Sequence, residues 1–296
     1  MPISKKPDKK TLEHPCYNCG ALNGVRIHLP VAPECNIQCN YCLRKYDCAN
    51  ESRPGVVSAV LSPRGAAERY IRVKKQLPDV RVVGIAGPGD ALANYSATAE
   101  TLKRIRTLDP DVTFCLSTNG LALPDRAGEL AELGVTHLTV TINALDPKTG
   151  AAIYKWVKYN GRTYTGTAGA RLLRDNQAEG LKRAAELGLV CKINTVALRG
   201  VNLSEIPELA RRVSELGIYI HNIMPHIAVT GSGFEGLPGI TARELDALRD
   251  ECSLHVKQMR HCRQCRADAV GTLNRDRSAE FELAGADNKS SNKCAS

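Results

Sequence analysis

Large aromatic residues are scarce in this sequence: three Phe and one Trp occur among 296 residues. No run of 18 or more apolar residues occurs, so no helical membrane span is expected. The opening stretch MPISKKPDKKTLEHP is charged and has no apolar centre, so it does not read as a secretory signal. No solenoid-type repeat is evident. The net charge is +9, but the basic residues are scattered and no aromatic-interleaved basic patch stands out, so no nucleic-acid partner is expected. The positive excess serves solubility, or it lines a cavity for an anionic substrate.

What is abundant is cysteine. Twelve occur, at positions 16, 19, 35, 39, 42, 48, 115, 191, 252, 262, 265 and 294. Small secreted domains spend such a count on disulfides. This chain is long and shows no signal, and most of its thiols crowd into the first 48 residues or a later CxxC, so metal ligation is the better reading.

The rest of the chain alternates between β-rich apolar runs and helical periodicities. Strands are expected at 27–33, 81–86, 112–117, 137–142, 190–196 and 218–225. Helices are expected at 64–77, 97–108, 125–133, 171–187 and 203–216. Six such units make a parallel sheet, too few for an eight-stranded barrel, so the fold class is α/β, an open partial barrel of (β/α)6 type. Four parts follow: an N-terminal arm at 1–26, the barrel at 27–230, a C-terminal segment with the CxxC at 231–272, and a polar, disordered tail at 273–296 that includes Cys294. Chemistry belongs at the carboxyl ends of the strands. The cysteine loop, Gly87-Pro88-Gly89-Asp90, Ser117–Asn119 and Asn143 all fall there.

The loop reads Glu34-Cys35-Asn36-Ile37-Gln38-Cys39-Asn40-Tyr41-Cys42. Three thiolates at C-x3-C-x2-C spacing can hold three irons of a [4Fe–4S] cubane and leave the fourth iron open for a substrate. Structural zinc prefers four ligands in two close pairs, which this triplet lacks. The spacing, with an aromatic just before the last cysteine, resembles the radical SAM superfamily, whose members share a partial (β/α)6 barrel. The resemblance implies that the open iron chelates the amino and carboxylate groups of S-adenosylmethionine (SAM). One electron then breaks the S–C5′ bond and gives a 5′-deoxyadenosyl radical. It implies further that Tyr41 lies near the adenine and that Gly87, Pro88, Gly89 and Asp90 form the turn contacting the SAM amino group. Ser117, Thr118, Asn119 and Asn143 are expected at the carboxylate and ribose, or simply as caps of their strands.

Outside the loop stand Cys16, His28, Cys48, Cys115 and the pair Cys262 and Cys265. A CxxC alone fits a redox pair, a zinc half-site or a cluster half-site. Cys191 and Cys252 read as buried small hydrophobes. Longer stretches, HPC (14–16), HLPVAPECNIQCNYC (28–42), RKYDCANESRPGV (44–56), GIAGPGD (84–90), CLSTNGL (115–121), TVTINALDP (139–147) and CRQCRADAVG (262–271), resemble the NifB family of nitrogenase cofactor maturases. That family carries, besides the SAM cluster, two [4Fe–4S] substrate clusters, K1 and K2. They are fused around a SAM-derived carbide and a further sulfur into an [8Fe–9S–C] precursor of the iron–molybdenum cofactor. One SAM donates a methyl group to a cluster sulfide, and a second supplies the radical that abstracts hydrogen from it.

The six residues would supply three ligands per substrate cluster. His28, Cys262 and Cys265 are favoured for K1, and Cys16, Cys48 and Cys115 for K2, although the sequence does not fix the partition. Glu51 and Arg53, in the ESRPG segment beside Cys48, are the catalytic candidates; Glu51 either moves protons during methyl deprotonation or forms a salt bridge shaping the loop. Two departures from the family pattern stand out: the stretch YNCGALNGVRI (17–27) is shorter and adds Cys19, and the chain stops soon after the CxxC, where many relatives add a NifX-like domain. A standalone catalytic form is expected, with cluster-donor, scaffold or carrier proteins and an electron donor such as a ferredoxin as partners. Oxygen-sensitive clusters imply a reducing cytoplasm. Two rivals remain: a radical SAM peptide or small-molecule maturase with electron-transfer auxiliary clusters, and a non-enzymatic iron–sulfur carrier.

Overall fold

The computed structural model describes residues 7–43, 47–48 and 59–281. Glu51, Arg53 and Cys294 lie outside the described residues. Along these the elements run α1 (Lys9–Glu13), β1 (Val25–His28), β2 (Ile37–Cys39), α2 (Pro63–Gln76), β3 (Val80–Ile85), α3 (Tyr95–Leu108), β4 (Thr113–Thr118), α4 (Leu123–Glu132), β5 (Val135–Thr141), α5 (Pro147–Ile153), β6 (Tyr154–Tyr159), β7 (Arg162–Tyr164), α6 (Gly166–Glu186), β8 (Val190–Ala197), α7 (Ile206–Glu215), β9 (Ile220–Pro225), α8 (Ala242–Ser253) and β10 (Val270–Gly271).

The helices form where apolar spacing and end signals agree. In α7, Ile206, Leu209, Ala210 and Val213 are the buried positions, the i, i+3, i+4, i+7 stripe of a helix packed on one side. Ser62 caps α2 through its hydroxyl, and Pro63 opens the first turn, where its missing N–H costs nothing. The strands of the main sheet are buried on both faces, as β8 shows with seven of its eight residues buried, Lys192, Asn194 and Thr195 among them.

That sheet has the order β10-β1-β3-β4-β5-β8-β9. All neighbours among β1, β3, β4, β5, β8 and β9 are parallel, which makes the six-strand α/β half-barrel expected from the sequence. β10 adds antiparallel to β1 at the open edge, with Arg26 opposite Gly271. The main core lies between this sheet and its helices and includes Ile27, Val83, Phe114, Leu138, Ile193 and Ile223.

Three features depart from the expected pattern. A second sheet, β2-β6-β7, is antiparallel; in its middle strand, YKWVKY (154–159), Tyr154 and Val157 are buried while Lys155 and Lys158 are exposed, a spacing of three that lacks the period-2 signal of a strand. The arm holds a short helix capped by Asp8, which accepts from the Thr11 amide. Residues 273–281, expected within the tail, belong to the fold. Arg277 N–H donates to the Val270 carbonyl (2.8 Å), Ser278–Phe281 form a 3-10 turn, and the Phe281 ring joins the main core. One large aromatic is enough to anchor a stretch whose average composition is polar.

Candidate active site and cluster cavity

The cysteine loop is built by the second sheet. β2 pairs with β6, setting Cys39 opposite Tyr154. Asn40 N–H donates to Ile153 O (2.8 Å) and Lys158 N–H to Asn36 O (2.8 Å). Gln38 Nε2 closes the turn from within, donating to the carbonyls of Cys39 (2.9 Å) and Cys42 (2.8 Å). Cys39 and Cys42 are buried and Cys35 is half-buried. All eleven described cysteines are thiols. Among the described residues, no three His, Cys, Asp or Glu side chains converge as a single metal ion would require. A cubane is served differently, because its thiolates bind separate irons. Three soft sulfur donors on one short loop fit that group.

The Gly87-Pro88-Gly89-Asp90 turn packs directly against this loop. Gly89 N–H donates to Ala32 O (2.5 Å) and Asp90 N–H to Glu34 O (2.7 Å). A Cβ on Gly89 would stand 2.1 Å from the Glu34 carbonyl oxygen, so here glycine admits the chain's own backbone rather than a ligand. The Asp90 carboxylate is 3% exposed and turned inward. Oδ1 accepts from the amides of Leu92 (2.9 Å) and Ala93 (3.0 Å), and Oδ2 from the amide of Asn119 (2.6 Å) and the hydroxyl of Thr118 (2.9 Å). Burial pushes its pKa up, while these donors pull it back. Asp90 and Thr118 thus tie the turn after β3 to the end of β4.

Asn119 and Asn143 carry that order outward. Asn119 Nδ2 donates to Cys35 Sγ (3.6 Å) and to Asn36 Oδ1 (2.6 Å). Gln177 on α6 supports it by donating to the Asn119 carbonyl (2.8 Å). Asn143 Nδ2 donates to the Tyr41 hydroxyl (2.7 Å), and its Oδ1 accepts from the Val196 amide (2.9 Å). Tyr41 is fully buried, and burial pushes its pKa well up. Asn94, which the sequence did not single out, exchanges hydrogen bonds with Glu34: its Oδ1 accepts from the Glu34 amide (3.2 Å) and its Nδ2 donates to the Glu34 carbonyl (2.9 Å).

The other ligand candidates meet inside the half-barrel. Cys16, His28, Cys115, Cys262 and Cys265 all line one cavity, together with Ser117, Arg26 and Lys192. Alternation explains the pairs: Cys115 and Ser117 share one face of β4, and Arg26 and His28 one face of β1. Ser117 is therefore brought to the cavity and not to the loop. Cys48 is outside its lining; its amide donates to Pro88 O (2.9 Å) on the glycine turn.

His28 is prepared as a nitrogen donor. Its Nδ1 lies 3.0 Å from the Arg266 carbonyl, an acceptor that assigns the proton to Nδ1 and leaves the Nε2 lone pair available. Burial first, then the Arg26 charge, lowers its pKa to about 4, so the ring is neutral near pH 7. Gly84 makes room: a Cβ there would meet His28 Cδ2 at 2.8 Å. Burial pushes the Cys16 thiol up, opposed by the positive charges of Lys192 and Arg26. Asn222 Nδ2 donates to Cys262 Sγ (3.4 Å) and Asn194 Oδ1 (3.1 Å). Arg26, Lys192, Asn194 and Asn222 were missed from sequence; polar residues inside otherwise apolar strands, as in KIN (192–194), were the available signal.

The sequence profile of the Radical SAM superfamily matches residues 29–213. Among curated relatives, the FeMo cofactor biosynthesis protein NifB of Bradyrhizobium diazoefficiens is 50% identical over 278 residues, covering 92% of this chain and 56% of that protein. The protein of the same name from Herbaspirillum seropedicae is 49% identical over 278 residues, covering 92% and 53%. The chain spans about half the length of these curated relatives. Among solved structures, native anSMEcpe with bound AdoMet matches with a TM-score of 0.50 at 12% identity, covering 79% of this chain and 63% of that one, a likeness in fold. No helix among the described residues is long and apolar enough to cross a membrane. With the profile running from the end of β1 into α7, the chain belongs to the radical SAM superfamily.

Proposed function

We propose that this chain is a radical SAM enzyme of nitrogenase cofactor biosynthesis, joining two [4Fe–4S] substrate clusters with a SAM-derived carbide and an additional sulfur. The carrying observation is the convergence of five candidate ligands, Cys16, His28, Cys115, Cys262 and Cys265, on one cavity behind the strands that end at the cysteine loop. Electron-transfer auxiliary clusters need no shared chamber. Substrate clusters that must fuse do.

Cys35, Cys39 and Cys42 would hold the resident [4Fe–4S] cluster, which when bound supplies the electron that cleaves SAM. The protein's own residues do the rest. Gly87 to Asp90 fix the SAM turn against the loop, Asn119 steadies Cys35, and Asn143 orients Tyr41 at the adenine. In the cavity, His28 offers a neutral nitrogen, which binds iron more weakly than a thiolate and so can release during fusion. Cys48, on the SAM turn, would join the ligand set at the boundary between the two regions. Glu51 and Arg53 stay candidates for moving protons during methyl deprotonation. A ferredoxin-like electron donor, a cluster donor and a product carrier or scaffold are the partners such chemistry requires, in a reducing cytoplasm.

The test is anaerobic turnover of reconstituted protein with reductant and methyl-labelled SAM, following 5′-deoxyadenosine, S-adenosylhomocysteine and label kept in the metal cluster. Both products with retained label support the proposal. 5′-Deoxyadenosine without label in a cluster would sink cofactor assembly and point to an organic substrate. No SAM cleavage at all would leave the iron–sulfur carrier.

A further inference from the structure

Arg26 has no part in the reading above, yet it is the most deeply placed charge at the cavity. It projects with His28 from one face of β1, while Ile27 on the other face joins the main core. Only 2% of it is exposed. Nη1 donates to the Gly271 carbonyl (2.7 Å), directly across the β1–β10 pair. Nη2 donates to Cys265 Sγ at 3.0 Å. Nε is buried with no hydrogen-bond partner. Among the described residues, no carboxylate lies within ion-pair reach of it.

A guanidinium carries its charge permanently, and an ion buried without a counter-ion is costly. A strand clamp alone does not require that cost, because a neutral amide could donate to the Gly271 carbonyl. The charge is turned instead on a sulfur that lines the cavity. Cysteine-ligated iron–sulfur clusters are anionic, and their potentials respond to hydrogen bonds on sulfur and to nearby charge.

We propose that Arg26 is the fixed counter-charge of the substrate cluster held by Cys265. Nη2 donates to the ligand sulfur and stabilises the more negative, reduced cluster, which raises its reduction potential. Nη1 holds β10 so that the CxxC segment closes on β1. The inference rests on Cys265 being a cluster ligand, as proposed above. Arg26 is a positioning residue, acting through Cys265.

The experiment uses the full chain with Arg26→Gln and Arg26→Lys, reconstituted anaerobically. Iron and sulfide per chain are measured, followed by a redox titration monitored by electron paramagnetic resonance. The loop cluster is identified by its spectral change on adding SAM and serves as the internal reference. The expected result is a downward shift of one SAM-insensitive signal in Arg26→Gln, a smaller shift in Arg26→Lys, and an unmoved reference. Loss of cavity iron in Arg26→Gln with retention in Arg26→Lys also supports charge compensation. Unchanged iron and potential in both variants overturn it, as does equal loss in both, since Lys keeps the charge. Wild-type protein holding only the SAM-responsive cluster overturns the substrate-cluster reading itself, and this inference with it.

Discussion

The two sulfur-bearing regions are built in opposite ways. The cysteine loop takes its three thiols from residues 35–42; Gln38 closes it from within by donating to the Cys39 and Cys42 carbonyls, while Asn119 and β6 brace it from farther along the chain. The cavity takes its residues from the N-terminal arm, all six parallel strands and the C-terminal segment. It holds them with long-range contacts such as Arg26 to Cys265, 239 residues apart. The loop gathers its thiols from one segment, yet it keeps its shape only while β6 and Asn119 stay packed on it. The cavity exists only while the half-barrel edge is closed.

The sharpest way to break that comparison is Cys39→Ala. SAM cleavage should fall to background while SAM-insensitive iron stays in the cavity, read by 5′-deoxyadenosine and iron content; parallel loss of all iron would mean that the regions are not separable. Two glycines give the next contrast. Gly89→Ala sets a methyl against the Glu34 carbonyl and should cut SAM cleavage by about 10²-fold, the order expected of an ångström-scale misplacement. Gly84→Ala presses on His28 instead and should leave SAM cleavage within about tenfold of wild type while lowering the label retained in clusters.

Asp90→Ala tests the seam between the regions. It strands four donors and should cost about 3 kcal/mol or more of stability by denaturant titration; a loss under about 1 kcal/mol would show that the turn is held by other contacts. The smallest effect is expected from Tyr41→Phe. Removing the hydroxyl leaves Asn143 Nδ2 buried without this acceptor and should cost about 1–2 kcal/mol, seen as a lower Tm with the iron content of both regions unchanged.

The same contrast decides what could be read from sequence. The loop was legible because its spacing is local and carries its own chemistry. The parallel strands were legible because their apolar runs are buried on both faces. The antiparallel β2-β6-β7 sheet was not, because β2 is only three residues long and YKWVKY does not follow a strand's period of two. The cavity was legible as a roster of cysteines and His28, but not as an arrangement. Arg26 and Lys192 look like ordinary surface charges until pairing with distant chain buries them. The bonds of the Asp90 carboxylate to Thr118 and Asn119, at the next strand's end, had no signal in the sequence. Cys48 was assigned with Cys16 and Cys115 to one substrate cluster; that its amide donates to Pro88 on the glycine turn had no signal in the sequence.

The closing of the arm against the C-terminal segment also fixes when each site can come into being. His261 Nε2 lies 2.9 Å from the Pro15 carbonyl across 246 residues, and Leu273 N–H donates to Leu22 O at 3.2 Å. A ribosome releases the N-terminal part first. The loop thiols therefore emerge together, whereas Cys16 and His28 wait for nearly the whole chain before Cys262 and Cys265 join them. On the function proposed above, clusters would reach the cavity only after translation, in a molecule read through at least to β10. The chamber is in that sense a receipt for synthesis as far as β10: a polypeptide truncated before it can still carry the cysteine loop, but it lacks the Cys262 and Cys265 wall of the cavity.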